Sequence, residues 1–389
     1  MSFDADVIVV GAGPAGSTVA MLLAASSVRV RIVDRATFPR DKPCGDYCNP
    51  GAVGLLRDLG MLPAVLDAGA AVISAMRVYA QDGSRFEAPF PVGDGLLLPR
   101  LRLDAALLGH ASRAGAVIDE GVAVESVRIH PDAVDVQTAS GRRLRARLLI
   151  AADGMHSTIA RRLGRLRLPA AARYSVGAYF SSLSRTTPGG ELHLGSGLYA
   201  GVAHFGGGVA NVCMALPRRL WRRAGPQPTF EAALTCLPAL AEAMAGARRE
   251  SAFRCCGPVG FAARDPVADR VLLIGDAGGQ IEPMTGQGIF LALHSASLAA
   301  GVAREAVRSG DLSRRRLATY AQRRRLEIAG KLAVSRWLQR LALHPRITPL
   351  LVGRLRAHPS LAGDLLGATG DVLRPGSVLS PAYLARLFT

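Results

Sequence analysis

Hydrophobic and polar positions fall into blocks whose period changes at turn residues. Asp6 to Val10 is a β-branched apolar run of strand length, a helix-length apolar segment follows Gly16, and Val30 to Val33 is a second strand. Pro50 to Leu62 is amphipathic and has Gly60 near its end, which predicts a short helix. Val72 to Pro91 predicts a hairpin turning at Gln81–Ser84, and Arg100 to Asp104 opens a helix that runs to Gly115. Val117 to Val136 alternates as strands, whereas Leu148 to Ala152 is apolar throughout, as in strands buried on both faces of a parallel sheet. From Tyr174 to Phe261 the strand–helix rhythm is lost. Short β-like stretches are separated by Thr186–Gly190 and Gly206–Gly208, and a helical piece spans Thr229 to about Ala247. Arg270 to Ile274 is one more buried strand, and a long apolar helix follows Gly288. Beyond Gly310 the chain is helical and arginine-rich, with Pro345, Pro349 and Pro359 as breaks. Val334, Trp337, Leu338 and Leu341 form a stripe that reads as a packing face and not as a membrane anchor.

The turn between the first strand and helix is Gly11-Ala12-Gly13-Pro14-Ala15-Gly16. Gly11 permits the tight turn, Gly13 lets backbone N–H groups approach a pyrophosphate, and Gly16 brings helix and strand close. A helix N-terminus carries unpaired N–H groups and partial positive charge, so it faces the anion. Asp34 ends the second strand about twenty residues on, where a carboxylate accepts ribose hydroxyls. Strand, glycines, helix, strand and acid in register make a dinucleotide-binding βαβ unit. The loop Arg35 to Asp46 carries two prolines and a glycine and returns across this site. Arg40 and Lys42 offer charge to phosphates there, and Cys44-Gly45 brings backbone to a ring system.

Composition narrows the alternatives. The 389 residues suffice for two or three domains with ample core, and 49% are hydrophobic. No segment reaches the roughly twenty uncharged apolar residues of a membrane span. A first strand starting almost at Met1 leaves no room for a signal peptide, which points to the cytoplasm. Six cysteines without paired spacing fit a reducing compartment, and Cys44/Cys48 and Cys255-Cys256 match no zinc pattern. The net charge of +17 comes from scattered arginines with few interleaved aromatics, so nucleic acid is not the expected partner. An acidic carrier protein and peripheral membrane contact remain compatible with it.

Three separated stretches, the βαβ unit, the strand into Asp153-Gly154 and the strand into Gly275-Asp276, together resemble FAD-binding flavoproteins of the p-hydroxybenzoate-hydroxylase fold. Phe38-Pro-Arg-Asp-Lys-Pro-Cys-Gly-Asp46 resembles more narrowly the geranylgeranyl-reductase and flavin-dependent halogenase branch. The resemblance implies an α/β fold: a Rossmann-like FAD-binding domain (1–72, 98–170 and 262–310), an inserted β-sheet substrate domain (73–97 and 171–261) and a C-terminal helical region (311–389). It implies that Gly11, Gly13, Pro14, Ala15 and Gly16 cradle the FAD pyrophosphate. Asp34 and Arg35 then lie at the adenosine ribose. Arg40, Arg100 and Asp153 would surround the phosphate and ribityl region, with Cys44 and Gly45 at the ring. Gly275 and Asp276 would hold the ribityl chain, and Gly286, Gln287, Gly288 and Ile289 would face flavin N1 and the C2 carbonyl. Fixed dipoles there stabilise the negative charge of reduced flavin. NADPH or NADH would be the electron donor.

The branch's Tyr-x-Trp-x-Phe-Pro segment is Tyr199-Ala-Gly-Val-Ala-His204 here, with Gly201 in place of tryptophan, and neither Trp221 nor Trp337 lies in a halogenase Trp-x-Trp-x-Ile-Pro segment. The opened volume suits a bulkier lipophilic or polyketide-like molecule, free or carrier-bound. The expected reaction is hydroxylation or epoxidation through a flavin C4a-hydroperoxide. A reductase or dehydrogenase acting across a carbon–carbon bond is the alternative, with halogenation and non-catalytic FAD binding as minor ones. Tyr199 and His204 are the candidates to orient or protonate substrate, and Cys44 is the candidate to face the flavin. No metal ligands are expected.

Overall fold

A computed structural model of the chain describes residues 3–167, 172–260, 262–263 and 265–388. The strand Ala5–Val10 pairs in parallel with Arg143–Ala151 on one side and Val30–Val33 on the other. Val117–Asp119 and Val271–Leu273 extend the parallel run at its two ends. Val7, Ile8, Val9, Leu148, Leu149 and Ile150 are fully buried because both faces of this sheet are covered. The helices Pro14–Ala24, Arg100–Arg113 and Gly288–Ser309 close one face. The antiparallel extension Val124–Ile129/Val134–Thr138 and the helix Thr158–Arg162 close the other. Since the strands run in parallel, the residues after Val10, Val33, Ala151 and Leu273 emerge at one edge, the usual ligand edge of such sheets. Four motifs far apart in sequence are thereby gathered by topology alone.

The second large sheet runs in the order Arg248–Arg249, Arg173–Ser181, Val209–Pro217, Tyr199–Gly206, Gly189–Leu194, Ala75–Tyr79, Arg85–Pro89. The expected hairpin at Gln81–Ser84 forms its last two strands. One face packs on the helices Pro226–Leu234 and Pro238–Ala243. These two replace the single helix expected over Thr229 to Ala247, because Pro238 cannot donate to the preceding turn. The other face packs on the C-terminal helices Arg314–Ala342, Ile347–Ala357, Pro359–Thr369 and Pro381–Phe388. Pro349 does not break a helix: it sits in the first turn of Ile347–Ala357, where a missing N–H costs nothing. Among the expected domain boundaries, residues 170, 171 and 261 lie outside the described residues.

Candidate active site

At the ligand edge the backbone is fixed by contacts that only glycine permits. Gly11 has φ +101°, and a Cβ there would stand 2.4 Å from the Ala152 carbonyl oxygen. A Cβ on Gly16 would lie 1.8 Å from the Gly11 oxygen. The helix Pro14–Ala24 starts after Gly13 with no side-chain cap and no acid in its first turn, so its N–H groups face the cleft unpaired. Asp34 is buried and accepts from the Ala12 N–H at 2.7 Å and the Ala36 N–H at 2.8 Å. Its carboxylate thus braces the turn, and each oxygen keeps a further lone pair.

Two guanidinium groups converge on the same turn. The position of a Gly13 Cβ is 3.5 Å from Arg40 Nη2 and 3.9 Å from Arg100 Nη2. Both arginines are held by Asp104, which is fully buried: Arg100 Nε and Nη2 donate at 2.7 and 2.8 Å, and Arg40 Nη1 lies at 2.8 Å. Burial opposes the charge on Arg100, but Asp104 keeps it firmly protonated. Lys42 lies nearby, with Nζ 3.2 Å from where a Gly154 Cβ would be. Burial and then Arg100 lower its pKa.

A cleft of about 1170 Å³, open mouth included, starts at Gly13, Pro14 and Ala15 and passes Lys42, Cys44, Gly45 and Arg100. It ends at Gly275, Asp276, Gly286, Gly288 and Ile289. There the helix Gly288–Ser309 begins with no side-chain cap and no acid in its first turn. Gly286 is left-handed at φ +69°, and its Cβ would meet the Tyr47 ring at 2.7 Å. Gln287 points away from the cleft, donating to Asp371 Oδ1 at 2.8 Å and accepting from Thr285 Oγ1 at 2.9 Å. Asp371 also accepts from Asn49 at 2.8 Å and pairs with Lys331, so the last helices clamp the loop.

An apolar cavity of about 1310 Å³, open mouth included, meets the cleft, the two sharing Gly45, Tyr47, Pro283 and Gly286. The sheet side supplies Met76, Val78, Phe86, Leu192 and Gly201, and the C-terminal helices supply Trp337, Leu338, Leu351, Leu355 and Leu387. No atom lies within 4 Å of where a Gly201 Cβ would be. Tyr199 is buried in the wall, and its hydroxyl donates to Glu282 Oε1 at 2.8 Å.

The candidate residues separate into groups. Cys44 lines the cleft as a neutral thiol, its pKa raised by burial. Asp153 lies behind the cleft, accepting from the Thr158 N–H at 2.8 Å, and burial raises its pKa. Arg35 is exposed. His204 lines neither space. It stands on the opposite face of the sheet from Tyr199, with Nε2 3.6 Å from Glu191 Oε2. Burial disfavours the Glu191 charge, yet His193 and His204 hold its carboxyl well below the usual range. Strand alternation already carried this signal: residues an odd number apart on one strand point to opposite faces. Sequence reasoning missed Glu282, Asp371 and a buried group around Asp46. Asp46 Oδ2 accepts from Tyr179 at 2.7 Å and from Asn211 at 2.8 Å, and Arg254 donates to Asn211 at 2.9 Å. Nothing in periodicity links these four residues.

A family model described as FAD binding domain matches residues 4–334. The chain belongs to this family. The flavoprotein is 31% identical over 381 residues to menaquinone reductase of Mycobacterium tuberculosis, covering 90% of this chain and 87% of the relative. It is 30% identical over 341 residues to digeranylgeranylglycerophospholipid reductase 2 of Methanopyrus kandleri, covering 82% and 81%. The structure of halogenase PltM in complex with phloroglucinol and FAD has the same fold, with a TM-score of 0.80 over 98% of this chain and 89% of that one at 18% identity. The flavoprotein is an FAD-dependent oxidoreductase related to the geranylgeranyl reductases, and it shares its fold with the halogenase. Its uncapped helix ends, glycine cradle and paired arginines fit that cofactor. Among the described residues no helix is long and apolar enough to cross a membrane.

Proposed function

We propose that this flavoprotein is a reductase that saturates a carbon–carbon double bond in a long apolar substrate of isoprenoid type. The observation that carries the reading is the apolar cavity opening into the cofactor cleft at Tyr47 and Gly286. Each CH₂ buried there contributes about 0.8 kcal/mol, so a chain is held along its length and not by one polar anchor. The two reductases above support it, since each name denotes a molecule carrying long isoprenoid chains.

In this reading Gly11, Gly13 and Gly16 would admit the pyrophosphate to the helix N-terminus, and Arg40 and Arg100 would neutralise it. Asp34 would hold the ribose, and the N–H groups of Gly288 and Ile289 would serve the flavin's pyrimidine edge. Bound and reduced, FAD supplies a hydride equivalent. The protein excludes water, aligns the double bond and supplies the proton.

Dithionite-reduced holoprotein, mixed anaerobically with geranylgeraniol, is expected to give a product heavier by two hydrogens in mass spectrometry. A product bearing oxygen, formed only in air, overturns the reading. That outcome belongs to a second reading, oxygen insertion into a bulkier lipophilic molecule, which the open space at Gly201 favours.

A further inference from the structure

Reduction of a double bond needs a proton as well as a hydride, and the cavity wall is apolar almost throughout. Two phenols line that wall, Tyr47 at the junction with the cleft and Tyr199; Tyr199 is the one hydrogen-bonded to an acid, Glu282, which directly precedes Pro283, a residue lining both spaces. Tyr199 is 5% exposed and Glu282 carries a largely buried side chain. The second carboxyl oxygen of Glu282 accepts from the Met284 N–H at 3.2 Å, which fixes the side chain as the cap of the turn Pro283–Thr285. Gly260 packs on its stem, with a would-be Cβ 3.4 Å from Glu282 Cβ.

We propose that Tyr199 and Glu282 form a proton relay for the reaction described above, a role that rests on that reductase reading. With Glu282 in its carboxylic acid form the hydrogen bond reverses, Glu282 donating to Tyr199 Oη while the phenol O–H turns to the double bond. Tyr199 Oη gives its proton to one carbon as the other carbon receives the hydride whose loss oxidises reduced FAD. Glu282 returns a proton to Tyr199 Oη, and its carboxylate is reprotonated from solvent past Arg173. The substrate gains one hydride and one proton, and the protein ends the cycle unchanged.

The groups facing the relay are few. Arg173 Nη1 lies 3.9 Å from Glu282 Oε1, farther than a hydrogen bond, and its side chain is 18% exposed, which gives the pair a route to water. Cys213 faces Tyr199, and burial pushes that thiol up to about 11, so it stays neutral. Burial raises the Glu282 carboxyl more than Tyr199 and Arg173 lower it. It therefore retains its proton at a pH where an exposed glutamate has lost it. Burial and then Glu282 raise the Tyr199 phenol far above its ordinary value, so without a proton from Glu282 it is a poor donor.

Two measurements on the FAD-loaded protein test the relay. Infrared titration of wild type against E282Q is expected to show a carboxyl that keeps its proton above the ordinary glutamate range and that E282Q lacks. Titration of Glu282 in the range of an exposed glutamate overturns the relay whether or not a substrate is turned over. With geranylgeraniol as probe, wild-type kcat falls as pH rises through the Glu282 transition. Y199F and E282Q are expected to lower kcat by roughly 10²-fold, as loss of general acid catalysis does, with KM little changed and the alkaline limb absent from E282Q. Visible flavin absorbance and thermal melting verify that both variants are folded and loaded. An E282Q enzyme with the wild-type rate and pH profile removes Glu282 from the chemistry while leaving the reductase reading intact. Absence of any two-hydrogen product from wild type removes both.

Discussion

The cofactor cleft and the apolar cavity meet at Tyr47 and Gly286 but are built on different principles. In the cleft, function rests on the backbone: uncapped helix ends, left-handed glycines and turns too tight for a Cβ. In the cavity it rests on side chains, drawn from a β-sheet and from helices at the far end of the chain. A backbone site has no slack, since each atom is fixed by its neighbours in the fold. A side-chain site tolerates exchange as long as volume and polarity are kept.

The sharpest way to break that contrast is a matched pair of glycine substitutions. Gly16→Val places its Cβ where the Gly11 oxygen already lies, at 1.8 Å, and backbone cannot yield as a side chain tip can. Complete loss of FAD is expected, read as colourless protein on purification. Retention of stoichiometric flavin would sink the idea of a rigid cradle.

Next in size is Asp104→Asn. It leaves the buried Arg100 guanidinium and its neighbour Arg40 without their shared carboxylate. Removing one partner of a buried ion pair costs about 3–5 kcal/mol. Chemical denaturation of the apoprotein should show most of that loss, and added FAD should recover part of it by offering its phosphates instead.

Asp46, between Gly45 and Tyr47, which line both regions, gives a pH-dependent test. Burial raises its pKa from 3.8 to about 6, against smaller opposing effects from Tyr179 and Arg254. A group raised in the folded state contributes stability that is full below its unfolded value and lost as pH rises through the folded one. Wild type measured relative to Asp46→Asn should therefore lose roughly 3 kcal/mol between about pH 4 and pH 6. A flat difference across that window would show that Asp46 is ionised throughout, and the hydrogen bonds from Tyr179 and Asn211 would then be those of a carboxylate.

The smallest effect belongs to the cavity. Gly201→Trp has no atom within 4 Å of its new Cβ, and the position lines the apolar cavity. Stability should change by about 1 kcal/mol or less, since a strand glycine itself costs about that much in backbone entropy. Bulky substrates should be excluded while a slender isoprenoid chain is kept, which a KM comparison across substrate widths reads directly. Loss of flavin from this variant would show that the two regions are not separable.

The sequence alone was enough for the glycine turns and strand ends at the cleft, though not for Arg35, Asp153 and Gln287, which do not line it. The run Asp6–Val10, the glycines Gly11, Gly13 and Gly16, Asp34, and the apolar strands into Asp153-Gly154 and Gly275-Asp276 are each contiguous. Their backbone needs are written in residue types: β-branched for buried strand, glycine for positive φ or close approach, acid at a strand end. Parallel pairing then brings their ends to one edge, so local patterns sufficed to assemble the site. The stripe Val334, Trp337, Leu338 and Leu341 was legible as an apolar face, but the sequence did not say that it walls a cavity.

Only the tertiary structure decided the chemistry beyond the cofactor. Tyr199 and Glu282 are 83 residues apart, and Asn49 meets Asp371 across 322. Which face of Tyr199–Gly206 turns inward placed Tyr199 in the cavity wall and His204 behind it. The physical reason is that a strand or turn is fixed by interactions within a few residues. A cavity is what remains when distant elements pack, and its shape and its buried acids depend on all of them at once.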